Sequence, residues 1–386
     1  MKGLHVSKIA AISTQLVPIP LESPLTPLGG NLKFRTVYNV VVHVDTTDGI
    51  RGSSYVWLPG TENAPIELPH EAAIVAEAVH GFADAVVGES VFSYERLWAI
   101  KTARTVLPGN GIVSFAHSAL DMALWDAACK TLGLPLFRLL GAHKEEVDVY
   151  SNDLLDYWNS PTEDLVGKAK ELVSEGFTSL KLPGGLHPME SADWDIRRLE
   201  AVRTEVGSSV ELMLDVGNRW SFDQFARFAS RIDEVGLRWI EDPVPLNEPE
   251  LLLRVRRLLR TPIATGENSF DINELRSLAN SGAVDVLIFE PMRIGGVTGS
   301  QKLAAICEGI GVPIAPHTYP ELASHLVAGK PSGLVCEWLA WWQPMLAGTM
   351  AITKGRTIPS SAPGIGLTFD ESFLSQFPTR ISSGPQ

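Results

Sequence analysis

Asp215 (in MLDVGN), Glu241 (in WIEDP) and Glu267 (in ATGENS) each close an apolar run that reads as a short strand. If those runs are neighbouring parallel strands, three carboxylates meet at one rim. Like charges converging on a point repel, and each raises the cost of ionising the others unless a cation lies between them. Oxygen ligands without a thiolate or a nearby imidazole favour Mg²⁺ over zinc. Taken singly, each residue would read as a solvent-facing loop carboxylate. Three successive strand ends with the same feature read as a metal site.

Two further strand ends add acid–base chemistry. Glu290 closes LIFE, and His317 follows IAP. A carboxylate holding one ring nitrogen of a histidine fixes its tautomer and raises the basicity of the other nitrogen. The pair therefore reads as a general base, although an isolated histidine is more often structural. Lys181 (SLKLPGG) falls on a strand across from His317. Beside a divalent ion its pKa is expected to fall, and it can act as a second base or hold a substrate oxygen. Glu337 (LVCEWL) closes the last strand. Protonated, it could donate to an oxygen on which charge develops. Together these groups suit abstraction of a proton α to a carboxylate, a weak acid whose enediolate needs a cation and donors to be reachable.

Those residues need a scaffold that brings strand ends together. Eight candidate strands end at Ser151, Leu182, Asp215, Glu241, Gly266, Phe289, Pro316 and Glu337. Each gap holds one helix and two short loops, as in Thr162–Glu175 and Phe222–Val235, which is the crossover a parallel strand requires. Eight such units predict an α/β barrel with its chemistry at the C-terminal rim. No GxGxxG follows the first strand, which argues against an open dinucleotide-binding sheet. Residues 338–358 show little helical pattern, so the eighth unit is incomplete, and the tail from about Thr349 is expected to pack back on the first domain.

Residues before 146 differ. Val37–Asp45 reads as a strand ended by the Thr47-Asp48-Gly49 turn. Pro18–Gly30 and Gly52–Gly60 read as loops, and helices are expected over about 69–87 and Val113–Thr131. A small α+β domain follows from this order.

Composition narrows the class. The 386 residues carry 45 acidic against 32 basic side chains, a formal net charge of −13. That balance opposes a nucleic-acid or anionic-membrane binder, which needs a basic face. Cys129, Cys307 and Cys336 are far apart, form no CxxC, and read as core thiols in a reducing compartment. No run reaches the roughly 18 apolar residues of a membrane span, and residues 1–12 lack a secretory signal's apolar stretch. A cytoplasmic protein with a small-molecule substrate is the expectation.

SLKLPGG, MLDVGNRW, RWIEDP, ATGENS, EPMRIGGVTGS, PHTYPELASHL and CEWL together make the chain resemble the enolase superfamily, mandelate racemase subgroup, over nearly its whole length. The resemblance implies an N-terminal α+β capping domain (1–145), a (β/α)₇β modified TIM barrel (146–348) and a C-terminal segment returning to the cap (349–386). It assigns Mg²⁺ to Asp215, Glu241 and Glu267, the base dyad to His317 and Glu290, and an acid or electrophile to Glu337. It also implies a homo-oligomer, a dimer or an octamer. Three positions depart from the family pattern. Pro183 stands where the racemases' second strand-two lysine belongs, Lys181 matching the first. Gly217 stands two residues after the first metal ligand, where asparagine is usual. Glu290 replaces aspartate in the dyad. The loss at Pro183 suits a one-base dehydratase of sugar acids. A racemase, epimerase or cycloisomerase using Lys181 as second base is the alternative. Arg51 and Arg219 read as surface arginines or, alternatively, as ligands of a distal substrate carboxylate, and Trp338, Trp341 and Trp342 as core packing or a substrate-stacking cluster.

Overall fold

The computed structural model describes residues 7–25, 34–61, 70–103, 110–185 and 192–383. Three long antiparallel strands open the chain: β1 (Ile9–Leu25), β2 (Phe34–Thr46) and β3 (Arg51–Thr61). Eight short parallel strands follow: β4 (Val147–Ser151), β5 (Ser179–Pro183), β6 (Glu211–Asp215), β7 (Trp239–Glu241), β8 (Ile263–Thr265), β9 (Val286–Phe289), β10 (Ile314–Pro316) and β11 (Cys336–Trp338). Two antiparallel pieces close the chain, β12 (Arg356–Thr357) against β4 and β13 (Thr379–Ser382) against β1.

The eight parallel strands run in chain order around a barrel, with β11 returning beside β4. Between β10 and β11 the ring is joined by a bridge from Ile314 to Gly333 rather than by a full ladder. The α/β fold is thus a nearly closed eight-stranded barrel with a separate capping sheet, ordered β13-β1-β2-β3. Tyr150, Met213, Trp239, Ile288 and Val335 fill the barrel interior. Tyr150 and Trp239 meet edge to face at 5.6 Å, and the Lys181 ammonium sits 5.3 Å from the Tyr150 ring. The larger core lies between the barrel strands and their helices and continues beneath the cap.

Both regions expected to be cap loops include strand. Pro18–Leu25 belongs to β1, Pro18 facing Tyr38 and Pro20 facing Thr36 of β2. The prolines are tolerated because β13 pairs only with Ile12–Gln15, so no second ladder asks for their missing N–H groups. Residues 26–30 lie outside the described residues. Gly52–Gly60 is most of β3 and pairs with β2 through its length. Its glycines answer to packing: a side chain at Gly52 would strike Ala123 and Ala127, and one at Gly60 the Tyr38 ring. The first expected helix is two pieces, His70–His80 and Ala83–Val86, and its predicted start at residue 69 is not among the described residues. The helix predicted over Val113–Thr131 is found as Ile112–Leu132 and stops at Gly133, whose φ of 68° suits a left-handed cap. A further helix, Tyr94–Ala103, has no counterpart in the sequence reading. Cys129, Cys307 and Cys336 are free and buried, as expected. Among the described residues no helix is long and apolar enough to cross a membrane.

Candidate active site

Parallel register lines up the strand ends. Pro183 on β5 is level with Asp215 on β6, and Asp215 is level with Glu241 on β7. The chain turns sharply just past these ends. Asn218, Asp242, Thr318 and Tyr319 all take left-handed backbone, with φ of 63°, 45°, 54° and 58°. Strain of this kind costs about 1–3 kcal/mol per residue and persists only where the surroundings impose it.

The structure gathers all seven sequence-predicted residues at this rim. Lys181 Nζ is 2.8 Å from Glu241 Oε1 and 3.0 Å from Glu337 Oε1, all three side chains being buried. Trp239 Nε1 donates to Glu241 Oε2 at 2.9 Å. Asp215 accepts from the Gly217 N–H. His317 Nδ1 is 2.8 Å from Glu290 Oε2, so the longer glutamate does reach the imidazole. On its other side, His317 Nε2 is 3.1 Å from Glu267 Oε2 and 3.8 Å from Glu337 Oε2.

The electrostatics follow from this crowding. Burial raises the pKa of Asp215, and Glu267 adds to the rise against the pull of Lys181. Glu241 is pushed well up by burial and by Asp215, Glu267 and Glu337, with Lys181 opposing. For His317, burial favours the neutral ring, but Glu267, Glu337 and Glu290 outweigh it and push the pKa up to about 10.

For Lys181 burial acts downward, but Glu241 and Glu337 hold it well above the ordinary lysine value, a rise that a divalent ion beside it would oppose. One expectation is corrected: Glu337 is not kept protonated. Burial acts upward, yet Lys181, His317 and the Thr318 N–H together bring it below the usual carboxylate range. Its oxygens are also surrounded by donors, Asn152 Nδ2 at 2.8 Å and Thr318 N at 2.7 Å, which suit the ionised form.

As the side chains lie, no three His, Cys, Asp or Glu groups among the described residues share one ion's position. The donor set nevertheless fits a hard divalent cation. Glu267 Oε2 is buried and accepts no hydrogen bond of good geometry, and burial together with mutual repulsion pushes Asp215 and Glu241 toward neutrality. A cation held by Asp215, Glu241 and Glu267 would relieve both.

Several neighbours escape a sequence reading. Asn152 follows the end of β4, which carries no terminal acid, and only barrel closure brings it to Glu337. Asp242, next to Glu241, accepts from Thr265 Oγ1 at 2.6 Å and Asn268 Nδ2 at 3.0 Å, and burial with Glu267 and Asp215 raises it to about 7. Arg51 is the exposed partner of Asp45. Arg219 is not a surface residue: it is half-buried, lies against Gly217, and feels Asp215 and Glu267. Trp338 and Trp341 donate to Asp153 and Asp156, and all three tryptophans of that cluster are buried, as core packing requires, with Trp341 also lining a cavity beside Asp156.

Comparison with known proteins agrees with this geometry. Residues 164–373 match the family model described as enolase C-terminal domain-like. Residues 24–141 match the N-terminal domain of mandelate racemase / muconate lactonizing enzyme. The L-talarate/galactarate dehydratase of Salmonella typhimurium is 28% identical, over 94% of this chain and 89% of the relative. The L-talarate dehydratase of Polaromonas sp. JS666, solved with Mg and L-glucarate, superposes with a TM-score of 0.88 at 25% identity, covering 98% of this chain and 100% of that one. A racemase from Streptomyces coelicolor, solved with bound magnesium, superposes at 0.85 with 27% identity, covering 95% and 99%. The chain belongs to the enolase superfamily, in its mandelate racemase/muconate lactonizing enzyme subgroup.

Proposed function

We propose that this enzyme is a Mg²⁺-dependent hydro-lyase that dehydrates a sugar acid, an aldonate or aldarate, to a 2-keto-3-deoxy acid. The observation that carries the reading is the one-sided base. His317 is held by Glu290 with Nε2 directed inward. Opposite it, Lys181 is clamped between Glu241 and Glu337, and Pro183 occupies the rim position level with Asp215. Elimination on one face needs one good base, whereas racemisation needs two.

Asp215, Glu241 and Glu267 would hold Mg²⁺, whose chemistry there is to bind the substrate's carboxylate oxygens and offset the charge that develops on them. His317 Nε2 takes the C2 proton, and Glu290 keeps Nδ1 as the donor. The C–H electron pair becomes the C2–C3 double bond as the C3–O bond breaks. The imidazolium returns its proton to the departing hydroxyl, which leaves as water, and the enol tautomerises to the keto acid. Lys181 presents a fixed positive charge toward a substrate oxygen. Engagement of Glu267 by the cation would remove one of the charges that now raise His317, bringing it nearer the range of a working base.

The likeness to a racemase keeps a second reading, in which Lys181 serves as the opposing base of a racemase, epimerase or cycloisomerase. The same proposal takes 1–145 as cap, 146–348 as barrel and 349–386 as the returning segment, and a cytoplasmic homo-oligomer, dimer or octamer, which sedimentation tests. A panel of aldonic and aldaric acids is assayed for 2-keto acid, with α-proton exchange followed in D₂O. Product from a sugar acid, abolished by EDTA and restored by Mg²⁺, is expected, and His317→Asn should reduce turnover by about 10²-fold or more. Exchange without elimination across the panel would favour the second reading, and activity surviving verified metal removal would exclude both.

A further inference from the structure

Three parts of the site meet on Thr318, which is 1% exposed. Its left-handed backbone (φ 54°) turns the peptide N–H toward Glu337 Oε2, at 2.7 Å, while its hydroxyl donates to Glu290 Oε2 at 3.0 Å. That is the oxygen which also holds His317 Nδ1. From the capping sheet, Trp57 Nε1 on β3 comes within 3.5 Å of Thr318 Oγ1.

The donor inventory gives this chain one direction. An indole N–H can only donate, so the threonine hydroxyl accepts from Trp57 and directs its single proton to Glu290. Glu290 then accepts from both Thr318 and Nδ1–H, which makes Nε2 the ring nitrogen that must be free of its proton when His317 acts as the base. At 3.5 Å the Trp57 contact is the weakest link, and the one a small displacement of the cap makes or breaks.

We propose that Thr318 is a positioning residue through which the capping sheet, by way of Trp57, fixes the tautomer of His317 and the placement of Glu337, so that the base is fully set only when the cap is seated. The proposal rests on His317 being the general base.

Thr318→Val, Thr318→Ser, Trp57→Phe and the Trp57→Phe/Thr318→Val double variant are compared on a sugar acid that the parent enzyme dehydrates, with Mg²⁺ present. Nitrogen-15 spectra of the imidazoles are recorded alongside, the His317 signals being identified by their loss in His317→Asn. Removing an outer hydrogen bond of this kind lowers activity about 10- to 100-fold. A fall of that size in kcat for Thr318→Val is expected, with KM little changed. Thr318→Ser should recover most of the rate, and Trp57→Phe should lose less than Thr318→Val. The double variant should be no slower than Thr318→Val alone. The Nε2 signal should shift toward the protonated tautomer in Thr318→Val. Wild-type kcat in Thr318→Val, a change confined to KM, or losses that multiply in the double variant would overturn the proposal. Should Thr318→Val not fold, Trp57→Phe decides alone, unchanged kcat overturning it. If His317→Asn still turns over, the base assignment itself has failed. If His317→Asn is inactive and Thr318→Val is normal, only the coupling has failed.

Discussion

Lys181 Nζ lies 2.8 Å from Glu241 and 3.0 Å from Glu337, both wholly buried. Breaking a buried ion pair from one side leaves an uncompensated charge, which typically costs about 3–5 kcal/mol. Lys181→Met retains most of the stem volume and removes the ammonium, so urea denaturation should show a loss of that order, partly recovered by Mg²⁺. Unchanged stability would mean that the lysine does not hold these carboxylates in place. The identities of the site residues were readable because each lies on, closes or directly follows a strand-like run. Their protonation states were not. The low pKa of Glu337 depends on Lys181, His317 and the Thr318 N–H, and the high pKa of Lys181 on two carboxylates from other strands. Thr318 is 19 residues from Glu337 and Lys181 is 60 from Glu241, and such groups meet only when the barrel strands assemble.

Elements place these groups, and the barrel strands were legible because a parallel strand buried on both sides is a short apolar run with an abrupt polar end. Of the cap strands only β2 was, since Pro18, Pro20, Gly52 and Gly60 carry turn chemistry into β1 and β3, whose neighbours happen to permit it. At Gly266 the turn chemistry is real. Its φ is 131°, an added Cβ would overlap the Ile288 carbonyl oxygen, and Glu267 follows directly. Gly266→Ala should therefore cost at least about 2 kcal/mol from the backbone conformation alone. By displacing Glu267 it should also weaken Mg²⁺ binding in a calorimetric titration. Parent-like stability together with parent-like Mg²⁺ affinity would show that the strand end tolerates a different path.

Across the whole molecule, the Ile112–Leu132 helix joins what the sequence presents as separate regions. Asp121 accepts from Thr298 N at 3.0 Å in the barrel's helical layer. Asp126 accepts from Ser53 N of the cap and Ile365 N of the tail, both at 2.8 Å, with Lys130 Nζ at 2.6 Å. β13 then binds the end of the chain to β1. Some of the formal charge of −13 is thus internal structure: two aspartates serve as joints and others form the candidate metal rim, so net charge alone understates how specifically the acids are placed. Asp126→Ala would leave buried N–H groups of cap and tail unsatisfied together, at about 1–3 kcal/mol for each such donor. The expected result is a lower unfolding free energy and, in hydrogen exchange, β1–β3 peptides that exchange ahead of the barrel strands, whereas in the parent the two should exchange together. A cap freed in this way would also draw Trp57 from Thr318, so kcat should fall with it. If cap and barrel exchange stay locked together in Asp126→Ala, the seat of the cap is held by the sheet pairing and apolar packing instead, and the helix is only one of its supports.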